Sequence, residues 1–99
     1  MTTERSTVFL MANLGSEIER LYMAHDSGDR GKITGSYERA VAIITELENR
    51  DDIGNGKGEV ELVKGVVDDI ASANPQLSVR AEDMRSYFLP FAMRALSGR

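Results

Sequence analysis

Cysteine and tryptophan are both missing from this chain of 99 residues, and histidine occurs once, as His25. No disulfide can form, and no zinc or iron–sulfur centre held by thiolates can be built. The Glu-x-x-His motif that holds di-iron centres in helical bundles occurs nowhere. Long apolar runs are missing too. The stretch Val8 to Ala12 is about half the length of a signal peptide's apolar region and far short of the ~20 residues of a membrane span. The expectation is a cytoplasmic protein with no membrane partner.

Signatures of bound cofactors are wanting as well. Gly54-Asn-Gly-Lys-Gly58 lacks the G-x-x-x-x-G-K-[ST] spacing of a phosphate loop. Asp26 to Tyr37 has the Gly31 and Ile33 of a calcium loop, but Gly28, Arg30 and Tyr37 stand where oxygen ligands are required. Asp51 to Leu62 fails in the same way at Ile53 and Leu62. No G-x-S-x-G frame presents a nucleophile. No cofactor and no metal are expected. The balance of 12 basic against 16 acidic residues leaves a net charge of −4, and the arginines are scattered singly. Nucleic acid is therefore a poor partner.

What the chain does have is helical periodicity. In Ser36–Arg50 the apolar residues Tyr37, Ala40, Val41, Ile44 and Leu47 recur at steps of three and four. The stretch looks like the organiser of the fold. Three more stripes match it. Ser6 or Thr7 caps a first helix over 6–25, with Leu10, Met11, Leu14, Ile18, Leu21 and Tyr22 on one face. Asp29 caps a second over 30–50. Val60, Val63, Val66, Val67 and Ile70 define a third over 59–73, after a Gly-rich loop at 51–58 expected to be mobile. Ser78 caps a fourth over 79–96, whose stripe runs from Met84 through Tyr87, Phe88 and Phe91 to Leu96. Pro90 falls inside it, so this helix is expected to kink or to end and restart there. The expectation is one all-α domain over 1–99, a small antiparallel four-helix bundle running up-down-up-down.

Few residues suggest chemistry. Arg20-Leu-Tyr-Met-Ala-His25 resembles, in its R-x4-H spacing, the motif of the HEPN domains, a helical ribonuclease superfamily of four- to five-helix bundles. The resemblance implies an RNA-processing or toxin-type bundle, with His25 as acid or base and Arg20 holding phosphate. Read by themselves, the two residues lie about 140° apart around a helix. His25 then serves the helix dipole, and Arg20 is solvated. Glu17 and Glu48 border their apolar stripes. Each is either a carboxyl of raised pKa or the partner of an arginine on a neighbouring helix. Tyr37, Tyr87, Phe88 and Glu48 would line any apolar ligand cavity left by a break at Pro90.

The reading preferred from sequence is a non-enzymatic interaction module. Phe9 and Met23 fall on the polar side of the first helix, and Leu89 and Met93 stray from the stripe of the fourth. If the chain ends are neighbours, these four form an interface, and the expected partner is a second copy of the chain.

Overall fold

The first helix ends where Gly28 enters the left-handed region at φ 71°, and its N–H caps the carbonyls of Ala24 and His25. The next residue, Asp29, already caps the second helix, accepting the Lys32 N–H at 3.1 Å. Gly28 and Asp29 are thus the whole connection. In this computed structural model, which describes residues 6–50 and 56–97, four helices follow in order: α1 Thr7–Ser27, α2 Arg30–Glu48, α3 Gly56–Ala71 and α4 Ala81–Ser97. The chain is a four-helix bundle with no strand among the described residues. Its extents are 42 × 24 × 24 Å, one helix long and two helices wide.

Cross-helix bonds show the directions. Arg50, just past α2, donates to the Thr7 hydroxyl at the start of α1 at 3.1 Å. Tyr37 near the start of α2 donates to Asp68 near the end of α3 at 2.9 Å. Arg85 early in α4 holds Glu19 late in α1 through two bonds of 2.9 and 3.1 Å. Consecutive helices are therefore antiparallel, and α4 returns beside α1. Tyr87 of α4 donates to Glu59 of α3 at 2.6 Å.

The centre of the bundle is α1, not the Ser36–Arg50 stretch. It packs against all three other helices and buries eight residues, among them Leu10, Leu14, Ile18 and Leu21. On α2 the buried face is Ile33, Ser36, Ala40, Ile43, Ile44 and Leu47. That face is turned relative to the apolar stripe, because Ser36 and Ile43 are buried while Tyr37 and Val41 are only partly so.

Two local expectations change, and a third is narrowed. Gly56 and Gly58 lie inside α3, so the helix starts earlier than its first apolar residue suggests. Residues 51–55 of the expected loop lie outside the described residues. Ser78 does not cap α4, which begins at Ala81. The reason is the segment before it. Asp69 accepts the N–H groups of Gln76 and Leu77 at 2.9 and 2.8 Å, and Tyr22 donates to the Val79 carbonyl at 2.6 Å. These bonds hold 76–79 out of the helix, with Leu77 at φ 51°. Finally, α4 continues through Pro90 as one helix, without a restart. It places only Met84 and Phe88 fully in the core, and Leu96 is exposed.

Candidate functional site

Two open grooves flank α1, one against α2 and one against α4. Both exist because small side chains occupy the facing positions. Between α1 and α2 the walls are Ser27, Gly31, Gly35 and Ser36, and Met23 and Ala24 form the floor. The space is about 610 Å³. Arg20, Lys32 and Arg39 complete the lining among the described residues, and Asp29 Oδ1 lies beside Gly31, 3.5 Å from where a Cβ would stand.

Beneath this groove lies Glu17, buried on α1 at 9% exposure. Its carboxylate accepts from Arg20 Nη1 and from Arg39 Nε, each at 3.0 Å. Of the two fates open to Glu17, the structure shows the arginine partner from a neighbouring helix. A carboxylate taken from water is stable here because both oxygens find cationic donors. Arg39 also donates to the buried Ser36 hydroxyl at 3.4 Å. Sequence reading missed Ser36, Lys32 and Arg39. The available signal was the spacing of small residues on α2, Gly31 and, one turn on, Gly35 with Ser36 beside it.

Glu48 takes the other course. Its carboxyl pKa is raised, first by a hydrogen bond to Glu61 across the α2–α3 seam, then by loss of hydration and the Glu61 charge. Lys64 and Lys57 oppose the shift.

Arg20 and His25 are engaged separately. Arg20 holds Glu17 beside the α1–α2 groove. The His25 Nδ1 is buried, 3.6 Å from Asp26 Oδ1, and makes no hydrogen bond among the described residues. The imidazole lies near enough to Asp69 to help lower that carboxyl's pKa. His25 is not among the residues lining the groove that holds Arg20.

Tyr37, Tyr87, Phe88 and Glu48 do not share a cavity among those described. Tyr37 is bonded to Asp68, Tyr87 to Glu59, and Phe88 packs against Gly15.

The second groove, about 430 Å³ between α1 and α4, runs from Ala12, Gly15 and Ser16 to Leu89 and Ala92, with Glu19, Arg20 and Arg85 at one end. Phe9 borders a smaller hollow with Arg94 and Ala95, further along the same seam. Met93 stands one turn beyond Leu89. The exposures of Phe9, Leu89 and Met93 are 44%, 54% and 60%. Met23, 63% exposed, belongs to the α1–α2 groove instead. Of the four expected interface residues, Leu89 and Phe9 thus line adjoining hollows of the α1–α4 seam, Met23 lines the other groove, and Met93 is exposed but lines neither hollow.

Among the described residues, no group of His, Asp and Glu could hold a metal ion, and no helix is long and apolar enough to cross a membrane. Comparison with known protein families, with curated proteins and with solved structures found no match.

Proposed function

We propose that this chain is a non-enzymatic interaction module that self-associates through the α1–α4 seam. The observation that supports the reading is the exposure of Leu89 in the α1–α4 groove, of Phe9 in the neighbouring hollow with Arg94 and Ala95, and of Met93 and Leu96 further along α4. Scattered apolar side chains are ordinary on a surface, whereas a row of them beside an apolar groove is a contact surface. The rim of the seam carries both charge signs, Glu19 with Arg20 and Arg85. A face of that kind can oppose unlike charges when turned onto itself about a twofold axis.

Sedimentation equilibrium tests the reading. The wild-type chain is expected at twice its 10.9 kDa mass. Leu89→Glu with Met93→Glu is expected to be monomeric with an unchanged helical circular dichroism spectrum. A wild-type monomer at about 1 mM, where even a millimolar dimer would be visible, overturns it.

A further inference from the structure

The α1–α2 groove is a cationic site on an acidic protein. Three cations line it, and the buried Glu17 carboxylate supplies one opposing charge. At the other end Asp29 is turned onto the start of α2, where it caps the Lys32 N–H. The Lys32 ammonium makes no ion pair among the described residues.

Two of the cations are also held in place. Glu17 draws Arg20 from α1 and Arg39 from α2 to the same end of the groove. A Cβ on Gly35 would lie 3.3 Å from Arg39 Nη1, so the guanidinium rests against the bare α2 backbone there. The described bonds use one nitrogen of Arg20 and two of Arg39. A guanidinium carries five N–H donors, so each fork retains donors for a ligand. The floor is different in kind. Met23 and Ala24 offer apolar surface, and Met23 is strongly exposed although it does not line the α1–α4 groove.

We propose that this groove binds an organic anion. A carboxylate or phosphate group is held by Arg20, Arg39 and Lys32, and an apolar body lies on Met23 and Ala24. Charge-assisted bonds to a pre-positioned fork supply the anion selectivity. The site shares Arg20 with the rim of the α1–α4 groove, while Lys32, Arg39, Met23 and Ala24 line the α1–α2 groove and not the other.

The test is titration of the full chain, followed by its backbone amide NMR signals, with octanoate, octyl phosphate and octanol. Octanoate or octyl phosphate is expected to shift the amides of Gly31, Lys32 and Gly35, and octanol to bind at least about tenfold more weakly. Tighter binding of octyl phosphate identifies a phosphate ligand, and tighter binding of octanoate a carboxylate. Lys32→Gln removes a cation that holds no described partner and is expected to weaken binding about tenfold with the fold intact. Gly35→Ala is the second variant. The added Cβ presses on Arg39 Nη1 at 3.3 Å, and the helix preference of alanine offsets the strain this puts on the Arg39–Glu17 pair, so the fold is expected to hold while affinity falls. Equal binding of octanol, shifts centred on Gly15 and Leu89, no shift with either anion, or unchanged affinity in both variants would each overturn the proposal.

Discussion

Gly15 of α1 lies directly under the side chain of Phe88 on α4. A Cβ built on Gly15 would sit 2.7 Å from Phe88 Cβ and 2.8 Å from Cγ, closer than side chains can approach. The absent methyl is what allows α4 to lie against α1 and bury Phe88. Gly15→Ala is therefore expected to destabilise the protein by roughly 1–3 kcal/mol through overpacking, even though alanine favours a helix by about 1 kcal/mol. Urea unfolding followed by circular dichroism checks this. A higher midpoint for the variant would show that α4 shifts without cost.

Asp69 ties the α3–α4 connection to the end of α3. Its carboxyl pKa is lowered, first by the Gln76 N–H and then by the Leu77 N–H, with His25 adding a smaller share against the cost of lost hydration. A depressed carboxyl stabilises the fold above its unfolded pKa, and that contribution disappears as pH falls through the folded value. Wild-type stability is thus expected to drop as pH falls below about 4. Asp69→Asn, which offers one acceptor oxygen in place of two, is expected to be less stable at neutral pH. It should also show a shallower acid dependence. Thermal melts at stepped pH compare the two chains, and parallel curves would remove Asp69 from the explanation.

Alkaline conditions probe the opposite seam. Burial, then the hydrogen bond to Glu59 and its charge, push the Tyr87 phenol up to about 12. Tyr22 is also raised, mainly by burial, and Tyr37 mainly by its bond to Asp68. The neutral phenol is the form the fold favours. Stability from Tyr87 is therefore full below the ordinary value of 10.0 and is lost as pH climbs towards about 12. In the folded chain all three tyrosines are expected to form phenolate above pH 10, Tyr87 last. Tyr87→Phe is expected to flatten the loss of stability over that interval. Ultraviolet phenolate titration beside melts at each pH measures both, and a Tyr87 midpoint near 10 would contradict the burial.

Pro90 has an exposed side chain within an unbroken helix. It lacks the N–H that an interior residue donates to the preceding turn. Pro90→Ala is expected to stabilise the protein by about 1–3 kcal/mol, since alanine restores that bond and no buried contact is lost. A chemical denaturation series decides. An unchanged or lowered stability would mean that the bundle uses the irregularity proline imposes.

Much of this architecture can be read along the chain. All six stripe residues of α1 are buried, and so are Val60, Val63, Val67 and Ile70 of α3. Asp29 caps α2 as its position between Gly28 and a helical stretch implies. The misreadings share one cause. Leu96 continues the α4 stripe but is exposed, because the packing of α4 buries only part of that stripe. Ser78 has the chemistry of a cap, yet Asp69 and Tyr22, distant in sequence, claim the backbone around it. Glu17 was visible as a carboxylate beside a stripe. That Arg20 and Arg39 would converge on it was not.

By itself, then, the sequence determined that four amphipathic helices must close around a shared core, because side-chain spacing sets the angle of every residue around its own axis. Only the tertiary structure decided that α1 is the central helix, and that Met23 joins Arg39 and Lys32 while Leu89 joins Gly15 and Arg85. A groove belongs to two helices at once. Its contents depend on how each is rotated and shifted against the other, and that is settled by small residues such as Gly15 and Ser36 at the seams.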